Sequence, residues 1–288
     1  MPLGAKYKNK ECSPLFFKKR SLYGRIVSMP KMSAVKGKWA LITGASRGLG
    51  LALARECALK GYDLVLISRN NETLEKAARS LKEEGGSRVE TLSADLSSQK
   101  ASFEIAHFLR EKKIMPEMWI NNAGAAFFGR FREGTEEKDG ALLNLNVHSA
   151  TQLTRLALTV MKRGFILNVA STAAFAPGPG AALYYASKGF EAMLTLAIAE
   201  EEANGPLSVS LLCPGPLNTD MLKERGEKGK RAAFFVMSPQ KAACYALKKT
   251  FKGKKVIIPG LINRIMVLLA RDLPLMWIVK IIRRSNLG

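Results

Sequence analysis

Seven apolar runs of strand length recur along the chain: "WALIT", "DLVLIS", "RVETLS", "MWINN", "FILNVA", "LSVSLL" and "KVIIP". Between most of them lie about 15 to 30 residues with helical periodicity. Strands that read as unbroken apolar runs, not as strict alternation, belong to a parallel sheet covered on both faces. The pattern therefore predicts an α/β chain with a doubly wound, seven-stranded parallel sheet flanked by helices. The intervening helices carry their own stop signals. "LGLALARECALKG" ends on Gly61, and "NNETLEKAARSLKEEGG" opens with capping residues and closes on a glycine pair. A length of 288 residues, 47% hydrophobic and 24% charged, suits a soluble globular protein with a sizeable core.

The net charge of +21 sits at the two ends. Residues 1–38 hold 10 Lys/Arg against Glu11, and residues 248–288 hold 10 against Asp272, which leaves the middle at +3. Basic ends of this kind serve as electrostatic arms for anionic surfaces, nucleic acid or acidic lipid, or as solvated tails. Residues 1–30 contain no apolar run long enough for a signal peptide core. Met29 and Met32 stand just before the first strand, and translation starting at either would remove the basic tail. The expected organisation is a disordered extension over 1–35, a core domain over 36–259 and an apolar, basic helical extension over 260–288. Cys12, Cys57, Cys213 and Cys244 are scattered without a Cys-x-x-Cys pair, which argues against a disulfide framework and for a reducing compartment. His107 and His148 lie apart without a carboxylate cluster, so no metal is expected.

In doubly wound sheets ligands bind at the carboxyl ends of the strands, and the first strand-to-helix turn receives a pyrophosphate. Here that turn is "ITGASRGLG", with Gly44, Gly48 and Gly50 in a G-x-x-x-G-x-G arrangement. Side chains at those positions would keep backbone N–H groups and the positive end of the next helix from a phosphate. Farther on, "ALYYASKGF" offers Tyr184 four residues and Tyr185 three residues before Lys188. Helical spacing alone permits either pairing.

Taken in order, T-G-x-x-x-G-x-G at 43–50, N-N-A-G at 121–124, a helix asparagine, a serine, Tyr-x-x-x-Lys and a Pro-Gly turn resemble the short-chain dehydrogenase/reductase family from about Lys38 to Ile258. The resemblance implies a single-domain Rossmann fold and selects Tyr184, because the family's tyrosine lies four before its lysine. It assigns Ser171 over Thr172 and Asn146 over Asn144. Tyr185 is then a packing neighbour. Ketone reduction needs hydride at carbon and a proton at oxygen. A phenol, with an ordinary pKa of about 10, becomes a usable acid beside the ammonium of Lys188. Ser171 would hydrogen-bond the carbonyl oxygen, and Asn146 would hold a water that resupplies protons through Lys188.

For the cofactor, the second strand ends "LISRN", with Arg69 where NAD enzymes present an acid, and Arg47 stands in the glycine turn. Both suit the 2′-phosphate of NADP(H). The resemblance adds Asp95 as the adenine-contacting acid, Ser46, Leu49 and Leu96 as further cofactor-binding residues, Asn122, Ala123 and Gly124 along the adenosine ribose, and Pro214, Gly215 and Thr219 toward the nicotinamide and pyrophosphate. Tyr184 and Lys188 also face the cofactor.

The pocket candidates Phe127, Phe175, Leu183, Met221, Leu222, Phe234 and Phe235 are mostly apolar, which suggests a lipophilic carbonyl substrate. Some 30 residues follow the last strand, unlike the Gly-rich end of the family's tetrameric oxoacyl-carrier reductases. A homodimer is expected before a tetramer. Arg271, Asp272 and Pro274 interrupt the terminal apolar stretches, so neither spans a bilayer. Two short helices meeting at Pro274 would cover the cleft, pack on a partner subunit or lie against an anionic membrane. The protein is expected in the cytoplasm, with peripheral membrane contact as an option and nucleic acid disfavoured. The rival reading is a dinucleotide-binding sensor or scaffold without turnover.

Overall fold

The computed structural model describes residues 37–85, 87–223 and 236–287. The expected extension over 1–35, with Cys12, and the pocket candidates Phe234 and Phe235 lie outside them. The seven strands are β1 (Trp39–Thr43), β2 (Asp63–Ser68), β3 (Val89–Ser93), β4 (Pro116–Asn121), β5 (Gly164–Val169), β6 (Leu207–Leu212) and β7 (Val256–Ile257). All pair in parallel in the order β3-β2-β1-β4-β5-β6-β7. Three runs differ in length from their sequence expectation: β3 starts one residue later, at Val89. β4 starts earlier, at Pro116, the first-residue position where a missing N–H breaks no ladder bond. The last run shortens to two residues at the sheet edge, just before Pro259.

The helices are α1 (Gly48–Leu59), α2 (Asn71–Gly85), α3 (Ala101–Glu111), α4 (Glu136–Leu143), α5 (Ala150–Val160), α6 (Ala182–Glu201), α7 (Asp220–Lys223), α8 (Pro239–Thr250), α9 (Leu261–Asp272) and α10 (Leu275–Leu287). Caps set several boundaries: Asn70 Oδ1 accepts the Thr73 N–H at 2.9 Å ahead of α2, and Gly61 takes φ +85° after α1. Successive strand residues point to opposite faces, and both faces are apolar. Ile42, Leu64, Leu66, Ile120 and Leu167 pack with α1, α2 and α8. Leu41, Val65, Ile67, Trp119 and Ile166 pack with α3, α5 and α6. Each such side chain contributes about 1.5–3 kcal/mol by leaving water, which is why the sheet sits at the centre. Trp119 is fully buried, and its indole N–H donates to Asn121 Oδ1 at 2.8 Å.

α9 and α10 meet at Pro274 and belong with the other described residues to one compact unit. The buried Asn263 of α9 fills the space above Gly215, where a Cβ would lie 2.3 Å from its Oδ1. Asn286 of α10 donates from Nδ2 to the Pro179 carbonyl at 2.9 Å. No helix among the described residues is long and apolar enough to cross a membrane.

Candidate active site

Because every strand is parallel, all carboxyl ends lie along one edge, and the strand order reverses between β1 and β4. In doubly wound sheets ligands bind at that point. The glycine turn between β1 and α1 occupies it. Gly44 has φ +63°, a conformation that favours glycine. A Cβ on Gly50 would stand 2.1 Å from the Gly44 carbonyl oxygen, so the turn folds tightly onto the helix start. Arg47 precedes α1 with extended backbone and no side-chain cap, so the first N–H groups of the helix keep no acceptor from it. A side-chain-free cradle at a helix N-terminus fits a pyrophosphate.

The N-N-A-G segment holds this turn in place. Asn122 donates from Nδ2 to the Thr43 and Gly44 carbonyls at 3.0 and 3.3 Å, and the backbone N–H groups of Asn122 and Ala123 reach Thr43 Oγ1 at 2.9 and 3.0 Å. Asn122 is thus a brace between β1 and β4. Thr219 completes the rim, its methyl group 3.3 Å from where a Cβ of Gly48 would lie. Ser46 and Ser68 share a hydrogen bond of 3.0 Å, and Arg69 follows, exposed, at the end of β2. Hydrogen bonds from Ser97 hold the Asp95 carboxyl below the ordinary carboxylate range. Leu49 and Leu96 are core residues. The Arg47 guanidinium, expected at the cofactor phosphate, instead pairs with Asp220 Oδ2 at 3.2 Å.

The second group of residues collects at the ends of β4 and β5. Asn146 lies in a π-helical turn, Asn144–Ser149, that interrupts the passage from α4 to α5. Such turns occur often at functional sites. Its Oδ1 accepts the Ala125 N–H at 2.9 Å, and its Nδ2 donates to the Ala125 carbonyl and Ser187 Oγ at 2.8 and 3.0 Å. Asn144 is exposed, and Asn146 is buried. Ser171 follows β5, and its Oγ accepts the Ala173 N–H at 3.1 Å, leaving the hydroxyl proton available for donation. Tyr184 is the third residue of α6, half-buried, with the Phe128 ring 6.5 Å away. Tyr185 meets Tyr184 edge to face and lies against Gly178, where a Cβ would be 2.2 Å from its ring. It packs there.

Lys188 is buried one turn after Tyr184 and donates from Nζ to the Val169 carbonyl at 2.9 Å and to Glu191 Oε2 at 2.8 Å. A Cβ on Gly124 would come within 3.3 Å of both Lys188 Nζ and Asn146 Oδ1, so glycine keeps this junction open. Burial alone would lower the lysine's pKa, but the charge of Glu191, with a smaller contribution from Tyr184, outweighs it and leaves the ammonium favoured. Burial pushes the Glu191 carboxyl up, against the pull of the ammonium. Burial likewise pushes the neighbouring Cys213 thiol up to about 12, which keeps it inert.

Glu191 is the residue that motif reasoning missed, and Thr43 stood in the glycine motif without its bracing role being visible. Glu191 was visible as an acid on the stripe of α6 that carries the buried residues Lys188, Ala192, Thr195 and Ala199. Of the pocket candidates, Phe127 is exposed, Leu183 and Leu222 are half-buried, and Phe175 leans on the core around Ala170 and Leu211. The side chain of Met221 lies outside the described set. Among the described residues no cluster of His, Cys, Asp or Glu is arranged for a metal.

A glycine turn that fits a pyrophosphate at the switch point, with a serine, tyrosine and lysine at the ends of the neighbouring strands, is the arrangement of a nicotinamide-dinucleotide oxidoreductase of the doubly wound class. The family described as short chain dehydrogenase matches residues 38–230, and the chain belongs to it. It is 30% identical over 270 residues to hydroxysteroid dehydrogenase-like protein 1 of Gallus gallus, covering 90% of this chain and 80% of that one. It is 31% identical over 196 residues to very-long-chain 3-oxoacyl-CoA reductase-B of Danio rerio, covering 66% of this chain and 62% of the relative's own length. A solved short-chain dehydrogenase from Sphingobium yanoikuyae in complex with NADPH superposes with a TM-score of 0.71 at 29% identity, over 82% of this chain and 96% of that one.

Proposed function

We propose that the protein is an NADPH-dependent reductase of a ketone on a lipophilic or acyl-type substrate, with Tyr184 as general acid. The observation that carries this reading is the buried ammonium of Lys188, held on the helix of Tyr184 one turn away and anchored 2.9 Å from the Val169 carbonyl at the end of β5. A nicotinamide cofactor held at the glycine turn would supply the hydride. Ser171 donates a hydrogen bond from its hydroxyl to the carbonyl oxygen, keeping its proton, and stabilises the charge that develops there. Tyr184 transfers its proton to that oxygen, and Lys188 favours the resulting phenolate. Asn146 fixes the Ala125 backbone beside Lys188, which shapes the route of proton resupply. Intact Asn146, Ser171, Tyr184 and Lys188 argue against a sensor or scaffold, which needs no such set.

The test is NADPH oxidation against ketones, quinones and 3-oxoacyl thioesters of graded chain length. Tyr184→Phe abolishes turnover and retains NADPH binding, while Tyr185→Phe remains active. A lethal Tyr185→Phe with an active Tyr184→Phe overturns the assignment.

A second reading concerns location. Leu261, Ile265, Met266, Leu268, Leu269, Met276, Trp277 and Ile281 are exposed on α9 and α10, beside Arg271, Lys280, Arg283 and Arg284. An apolar face rimmed by cations suits peripheral docking on an anionic bilayer. Full-length protein should co-sediment with anionic vesicles in a salt-sensitive way, and Met276→Gln/Trp277→Gln should weaken it. Absence of vesicle binding, with a dimer that the double variant dissociates, assigns the face to a partner subunit.

A further inference from the structure

α10 does more than cover the loop before α6. Its basic residues Lys280, Arg283 and Arg284, together with Arg130 from the loop after β4 and with Leu287, line a half-open cleft of about 710 Å³. That volume lies within the usual range for a small-molecule site, about 300–1,000 Å³. Among the described residues four cations and no acid form its wall. Glu133 accepts the backbone N–H of Arg130 at 3.1 Å, and that is its hydrogen bond to this residue. Asp272, the one acidic residue between positions 248 and 288, faces Arg271 at 3.5 Å. Among the described residues none of the four cations has a carboxylate partner.

The cleft adjoins the catalytic surface through short stretches of chain. The Gly129 N–H donates to the Gly180 carbonyl at 2.9 Å, which ties the Arg130 loop to the start of α6. Phe128, two residues before Arg130, is the residue whose ring faces Tyr184. Asn286 and Leu287 pack on Pro179 and Gly180, so the last turn of α10 is fastened to the same spot.

We propose that this cleft is a subsite for a phosphate-bearing part of the substrate, placed beside the catalytic tyrosine. Like charges around one concavity repel each other, and a multiply charged anion relieves that repulsion. Guanidinium forks pair with phosphate oxygens through two parallel hydrogen bonds, and three of the four cations are arginines. A single carboxylate would leave most of that charge unmatched. The inference deepens the reductase reading and rests on it: the ketone would be carried on a phosphorylated acyl carrier, with the apolar chain and the phosphates on different walls. A lipid headgroup offers the same chemistry, and the experiment separates the two sources.

Full-length protein saturated with NADPH is titrated calorimetrically with inorganic pyrophosphate, and the titration is repeated with Arg283→Gln/Arg284→Gln. Loss of about tenfold or more in affinity is expected, the lower edge of what one charge-assisted hydrogen bond provides. The same variant should raise KM for a 3-oxoacyl thioester of a phosphorylated carrier by a similar factor, with kcat and the turnover of an uncharged ketone unchanged. If pyrophosphate does not bind but anionic vesicles do, and the variant loses them, the phosphate is that of a lipid headgroup. If neither binds, or the variant binds both as the parent does, the subsite is wrong, and turnover of the uncharged ketone still stands for the reductase. Pyrophosphate binding that the variant loses, in a protein that reduces no ketone, keeps the subsite and removes the reductase reading.

Discussion

Replacing Glu191 with Gln preserves the shape of the side chain and removes the charge 2.8 Å from Lys188 Nζ. Both groups are buried, with relative side-chain exposures of 5% each. Removing one partner of a buried ion pair costs about 3–5 kcal/mol, because the other charge stays behind unpaired. The lysine has a way to limit that loss. It can shed its proton, which at pH 7 costs about 4.6 kcal/mol from an ordinary pKa of about 10.4. Part of the loss is offset, since burial already disfavours the Glu191 carboxylate. A net loss of about 3 kcal/mol is expected.

The pH dependence separates charge from packing. In the parent protein Lys188 is raised above its unfolded value, so its contribution is complete below about pH 10.4 and is lost only as pH rises through the higher folded value. In the variant burial acts unopposed and the folded value falls below the unfolded one. The penalty is then full at neutral pH and fades as pH approaches 10. Urea denaturation of both proteins at pH 7, 8, 9 and 10 should show a gap that narrows as pH rises, down to the parent's own contribution, which is still present at pH 10. At pH 7.5 kcat should fall by about tenfold or more, with KM for the ketone little changed, and Glu191→Asp should recover part of it. A gap that stays constant over this pH range, with kcat unaltered, refutes the charge argument and leaves Glu191 as packing.

Gly50→Ala places a methyl group 2.1 Å from the Gly44 carbonyl oxygen. A loss of about 1–3 kcal/mol is expected from overpacking, together with loss of the thermal stabilisation that NADPH gives; a variant still stabilised by NADPH as the parent is would show that the turn holds no phosphate. Arg69→Ala should remove most of any preference for NADPH over NADH, roughly one to two powers of ten for a charged hydrogen bond, as read from the two dissociation constants. Arg47→Ala should remove less, because Asp220 already engages that guanidinium. Equal affinities of the parent for both cofactors refute the NADPH assignment.

The parts of this protein that were legible in the sequence depend on local periodicity or on fixed spacing. The strands β1, β2 and β6 begin and end where their apolar runs do, because a fully covered parallel strand needs no alternation to mark it. The glycine turn was legible because a missing side chain is itself the signal. Interactions between distant elements left weaker traces. That Asn122 braces the turn through Thr43, 79 residues away, follows only once β1 and β4 are neighbours. The pairing of Arg47 with Asp220 across 173 residues has the same origin. Glu191 stands between these cases. An acid on the buried stripe of a helix, three residues after a lysine, is a local pattern with a physical meaning: such a charge is tolerated only when it is paired. The lysine it pairs with here is also the one beside Tyr184. A buried ion pair contributes little net stability over apolar residues of the same volume. Its effect here is on the lysine's charge state, because burial of an unpaired Lys188 in the same surroundings would disfavour the ammonium.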